Sequence, residues 1–86
     1  MQLGLVVGTA TATVKHPSFR GQKLLVVQPL LADGKTPDTD PVIAVDAVGA
    51  GRGEVVIITS DGRYVREITK DEATPLRWSI IGIKDA

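Results

Sequence analysis

The sequence predicts a small all-β domain, a five-stranded barrel with one short helix, and three observations carry that prediction. The first is composition. Val occurs 11 times, Ile 7 and Thr 8, against 7 Leu. Side chains branched at Cβ suit a pleated surface better than a helix. The second is spacing. Short apolar runs alternate with Gly-, Pro- and Asp-rich punctuation, the pattern of short strands joined by turns. The third is glycine within the first run, at Gly4 and Gly8, which marks a strand that bends, as at a barrel corner. One chain of 86 residues is one domain, residues 1–86, and five strands of uneven length fit a closed or partly open barrel.

Each element has its own justification. Leu3 to Val14 reads as the first strand, because Thr and Ala alternate from Thr9 to Val14 with the two-residue period of a sheet. His16-Pro17-Ser18-Phe19-Arg20-Gly21 is a loop. Lys23 to Gln28 is the second strand, with Pro29 at its edge or end; Leu24-Leu25-Val26-Val27 is apolar on both faces, so a neighbour covers it. Ala32-Asp33-Gly34-Lys35 is a turn, and Thr36 to Pro41 a polar loop with two prolines. Val42 to Ala47 is the third strand, followed by the glycine-rich loop Val48-Gly49-Ala50-Gly51-Arg52-Gly53-Glu54. Val55 to Thr59 is the fourth strand. Ser60 or Asp61 can cap a short helix reaching Ile68. After the polar turn at Lys70 to Pro75, Trp78 to Lys84 is the last strand.

Composition narrows function. A mass of 9.1 kDa implies a folded surface near ~4,900 Å² against ~13,000 Å² for the open chain, a thin core. Yet 43% of the residues are hydrophobic and mean hydropathy is +0.13. That surplus, with 10 basic residues balancing 10 acidic ones, points toward self-association. Nucleic-acid binding wants a cationic surplus and aromatic platforms; the net charge is zero, with one Phe, one Trp and one Tyr. Without cysteine there is no disulfide framework, thiolate zinc site or thiol nucleophile. Met1-Gln2-Leu3 lacks a basic leader, and no apolar run approaches ~18 residues, so a cytoplasmic protein free of the membrane is expected.

Candidate chemistry thins out on inspection. Gly49, Gly51 and Gly53 could offer amides to an anion, but a strand follows them where a dinucleotide fingerprint needs a helix. The plainer reading is a tight loop that needs positive φ or close backbone approach. His16, the single histidine, has no partner beside it. Asp33, Asp38 and Asp40 lack the spacing of a calcium loop. Asp46 and Glu54 flank the glycine loop and are expected to fix it by accepting its amides. Arg77-Trp78 and Phe19-Arg20 are candidate contact residues, since Trp and Arg are enriched at binding hot spots. No catalytic, cofactor-binding or metal-ligating set is expected, hence no enzyme.

Four blocks carry a family resemblance. Leu3-Gly4-Leu5-Val6-Val7-Gly8-Thr9-Ala10-Thr11-Ala12-Thr13-Val14-Lys15-His16 resembles the first strand of the bacterial microcompartment vertex proteins, the EutN/CcmL type. Phe19 to Gln28 is similar to that family's L-x-G-x-K-L-L-x-x-Q strand. Ala44-Val45-Asp46-Ala47-Val48-Gly49-Ala50-Gly51-Arg52-Gly53-Glu54 resembles its A-V-D-x-V-G-A-G-x-G-E signature, and Ile80-Ile81-Gly82-Ile83-Lys84-Asp85 its closing I-V-G-I-V-D. The chain departs at Ser60-Asp61-Gly62-Arg63 and at Pro75-Leu76-Arg77-Trp78, the mark of a sub-branch. The resemblance implies an OB-like barrel that closes as a cyclic homopentamer. Such pentamers cap the five-fold vertices of an icosahedral microcompartment shell, beside hexameric shell proteins, around encapsulated enzymes. It places the loop Gly49, Ala50, Gly51, Arg52 and Gly53 at the five-fold axis. The alternative is an OB-fold nucleic-acid-binding module, which the charge and the scarcity of aromatics disfavour.

Overall fold

A computed structural model describes residues 1–10, 23–60 and 77–84. Five strands follow in chain order: β1 (Gln2–Thr9), β2 (Leu24–Pro29), β3 (Val42–Asp46), β4 (Val55–Thr59) and β5 (Trp78–Ile83). They close into a barrel in the order β1-β2-β3-β5-β4. All neighbours are antiparallel except β3 and β5, which run parallel. Closure removes every sheet edge. Pro29, read from sequence as an edge or end residue, is the last residue of β2 and pairs with Gly4 of β1.

The core forms because strand alternation sends one side chain in two toward the axis. Val6, Leu25, Val27, Val56, Ile58 and Ile80 meet there, each at most 1% exposed, with Ala44 between them. Partly buried Val42 and Trp78 pack against this cluster. Gly4 lets the walls approach closely: a Cβ there would sit 2.4 Å from Val27 Cγ1. The eighth member of the cluster, Ala50, comes from the loop after β3 rather than from a strand.

Two strands carry an extra residue. Val6 pairs with Val27 and Gly8 with Val26, which leaves Val7 as a bulge in β1. Gly82 pairs with Ile57 and Ile80 with Ile58, which leaves Ile81 as a bulge in β5. The long segment between β2 and β3 is pinned by side chains. Gln28 Nε2 donates to Thr39 O at 3.0 Å, and Gln2 Nε2 to Asp38 Oδ2 at 3.1 Å. Asp33 closes the turn by accepting from the Lys35 and Thr36 amides, each at 2.8 Å. The helix expected to end at Ile68, and the continuation of the first strand from Thr11 to Val14, lie outside the described residues.

Candidate functional site: a carboxylate-held glycine loop

The Val48–Glu54 segment folds across one end of the barrel. Asp46 is the last residue of β3, and its side chain is fully buried. Its Oδ1 accepts from the Val48 amide at 3.0 Å and the Gly49 amide at 3.1 Å. Its Oδ2 lies 3.1 Å from Lys23 Nζ. The same ammonium donates to Ala50 O at 2.6 Å. Lys23 stands immediately before β2, and its carbonyl accepts the Asp46 amide at 2.9 Å. So the ladder that pairs β2 with β3 also brings the two charges together.

Glu54 holds the other side of the loop. Its Oε1 accepts from the Gly51 amide at 2.6 Å. The Gly53 amide donates to Val6 O at 2.8 Å, and the Val6 amide to Glu54 O at 3.0 Å. These bonds tie the loop to β1 and seat Ala50 in the core. Gly49 and Gly53 adopt φ of +87° and +89°, a region that L side chains avoid. Gly51 is different, because a Cβ there would come 3.3 Å from Glu54 Oε1.

The electrostatics of Asp46 follow from this geometry. Burial alone would push its carboxyl up. The Val48 amide, the Lys23 ammonium and the Ala50 amide outweigh burial and hold it below its ordinary value of 3.8. Asp46 is therefore an anion that the loop amides and Lys23 stabilise. The same bonds decide what the loop can bind. The amides of Val48, Gly49, Gly51 and Gly53 are all spent on acceptors of this chain. A phosphate cradle needs those amides free and convergent, so the geometry is that of a rigid cap.

The remaining sequence-predicted residues lie elsewhere or outside view. Trp78 opens β5 opposite Ala44, half-buried against the core. Arg77 precedes it and is exposed. Ile80, not Trp78, is the β5 residue opposite Asp46. Phe19, Arg20 and His16 lie outside the described residues. Among the described residues no group of three His, Asp or Glu side chains is placed to hold a metal. No helix there is long and apolar enough to cross a membrane. Sequence reasoning missed Lys23 as a partner of Asp46. The available signal was a lone cation directly ahead of an apolar strand, but only strand register says what that cation faces.

Comparison with known proteins agrees along the whole chain. Residues 1–85 match the family described as ethanolamine utilisation protein EutN/carboxysome. The chain is 41% identical to the bacterial microcompartment shell vertex protein GrpN of Rhodospirillum rubrum, over 99% of this chain and 93% of that protein. It is 38% identical to the shell vertex protein EutN of Salmonella typhimurium, over 99% of this chain and 84% of that one. A solved structure of the GrpN pentameric microcompartment shell protein from Rhodospirillum rubrum superposes with a TM-score of 0.78, at 38% identity, covering 100% of this chain and 95% of that one.

Proposed function

The chain belongs to the EutN/CcmL family, and from that premise we propose that it is a structural shell subunit whose homopentamer caps the five-fold vertices of a bacterial microcompartment. The observation that carries this reading is the match to vertex proteins over 99% of the chain, on a closed all-strand barrel. The physical role is curvature. A flat layer of hexagons cannot close on itself, and five-fold points supply the closure; a head-to-tail contact repeated five times makes such a point. The pentamer sits in the cytoplasm within the shell, bounded by hexameric shell proteins, and its work is mechanical rather than catalytic.

Within the ring, the loop from Gly49 to Gly53 faces the five-fold axis, where copies crowd and small residues are favoured. Its exposed members Gly49, Arg52 and Gly53 are free to meet their symmetry mates, while the buried Asp46 anchors it from within. Phe19, Arg20, Arg77 and Trp78 contact neighbouring subunits or hexamers. The experiment is native mass spectrometry. A species of five times 9.1 kDa is the expected result, and a stable monomer refutes the reading. Gly51→Trp, which crowds the axis, should abolish that species; an intact pentamer would move the loop off the axis. A Trp78 emission spectrum unchanged on dilution from pentamer to monomer would remove Trp78 from the subunit contact.

A further inference from the structure

The wall of this barrel carries almost no charge. Across the five strands the single ionisable side chain is Asp46, and it is buried against Lys23. A sheet wall bathed by water alternates apolar inside with polar outside. Here several outward positions are aliphatic as well. Val26 pairs with Ile43 across β2 and β3, and Leu3 pairs with Ile57 across β1 and β4. The alternate residues Val27, Ala44, Val56 and Ile58 fill the core, so these partners point away from it.

The two bulges concentrate this surface. A bulge adds one residue, breaks the in-out alternation and re-aims a side chain. In both places the extra residue is aliphatic and exposed: Val7 at 39% and Ile81 at 36%. Each has aliphatic company. Val7 lies beside Val26, which pairs in turn with Ile43, 46% exposed. Ile81 precedes Gly82, whose cross-strand partner is Ile57. The two groups sit on different walls, one on β1-β2-β3 and the other on β4-β5.

We infer that the two bulges head the two complementary faces of a head-to-tail contact between copies of this chain: Val7 with Val26 and Ile43 on one face, Ile81 with Ile57 on the other. This rests on the vertex-protein reading, which commits the occupant of each face to a second copy. A patch that mates with itself stops at a dimer, whereas a closed ring needs two different patches on every subunit. This barrel has two separate uncharged walls, each headed by an aliphatic that ordinary pairing would not present. Burying an aspartate carboxylate in such a contact without a partner is strongly unfavourable, which makes charge insertion a sharp probe.

The test uses Val7→Asp and Ile81→Asp, each checked for fold by far-UV circular dichroism and weighed by native mass spectrometry beside the wild type. Each variant should lose the pentamer. Leu31→Asp, at a residue 45% exposed in the turn after β2, should keep it. Mixing the two defective chains is the decisive step. One intact face remains on each, so the mixture should yield a species of twice 9.1 kDa that neither variant forms alone. If either aspartate variant misfolds, Val7→Ser and Ile81→Ser replace them; each should raise the concentration at which the pentamer dissociates by tenfold or more. A pentameric wild type that tolerates both substitutions, or a mixture that yields no dimer, overturns this assignment of faces and leaves the vertex reading standing. A monomeric wild type overturns both.

Discussion

Replacing Asp46 with Ala strips an acceptor from two loop amides and a counter-charge from Lys23 in one step. The magnitude follows from what each group meets afterwards. Hydrogen bonds to a charged group contribute roughly 1.5–3 kcal/mol each. Val48 and Gly49 are exposed residues, so water takes up their amides and the low end applies. The Lys23 side chain is 50% exposed and stays hydrated, so its pair adds about 0–1 kcal/mol. The expected loss is about 3–4 kcal/mol. For a domain of this size each kcal/mol moves Tm by roughly 4–8 °C, so the variant should melt at least about 12 °C lower. The assay is thermal denaturation followed by circular dichroism at one fixed protein concentration, because the Tm of an oligomer moves with concentration. Asp46→Asn keeps an acceptor for the amides but loses the ion pair, and should fall between wild type and Asp46→Ala. An Asp46→Ala protein melting within about 3 °C of wild type, well below one kcal/mol on that scale, would refute the view that this carboxylate holds the loop.

Three further outcomes follow from named geometry. The Asp46 carboxyl titrates below 3.8 in the fold, so the stabilisation from its charge is present above that value and is lost as pH falls through the folded one; the Tm gap between wild type and Asp46→Ala should narrow as pH falls below 3.8 and be flat above about pH 5, and a gap that persists undiminished in strong acid counts against the ion pair. Gly53→Ala meets nothing within 4 Å but must adopt φ of +89°, so it should cost about 1–2 kcal/mol in urea denaturation, while Gly8→Ala, equally uncrowded and without a positive φ, stays within about 0.5 kcal/mol; equal losses would sink the conformational explanation. Gly4→Ala drives a Cβ to 2.4 Å from Val27 Cγ1 and should cost about 1–3 kcal/mol, and combining it with Val27→Ala should cost less than the sum of the two single changes; strict additivity would show that the two sites do not touch.

The strands were the most legible part of the chain. β4 spans Val55–Thr59 as its apolar run suggests, and the bounds of β2, β3 and β5 moved by a residue or so, because a period of two and β-branched side chains are local properties; β1 ends at Thr9, where the Thr-Ala alternation suggested a strand reaching Val14. The bulges at Val7 and Ile81 were not legible. An unbroken apolar run reads the same whether or not one residue is looped out. Pro29 is the last residue of β2, the end position that its missing amide suggests, and it faces Gly4. The candidate site was half legible. Carboxylates beside a glycine run announce themselves, and Asp46 and Glu54 do accept loop amides at 2.6–3.1 Å. Their third partner, Lys23, lies 23 residues before Asp46, and nothing local connects the two.

The sequence by itself determined the class of structure, the family, the turn at Asp33-Gly34 and the glycine-rich loop after β3, since each depends on a residue's own conformational preferences or on a motif read in order. Only the tertiary structure decided the strand order β1-β2-β3-β5-β4, the parallel pairing of β3 with β5, the outward turn of Val7 and Ile81, and the meeting of Lys23 with Asp46. The physical reason is register. A strand that slips by one residue exchanges its inner and outer faces, and the runs Leu24-Leu25-Val26-Val27 and Val55-Val56-Ile57-Ile58 are aliphatic on both faces, so there the hydrophobic pattern alone cannot choose between them. Packing around Gly4, Val27 and Ala50 makes that choice, and with it selects which aliphatic side chains fill the core and which are left for a neighbouring copy.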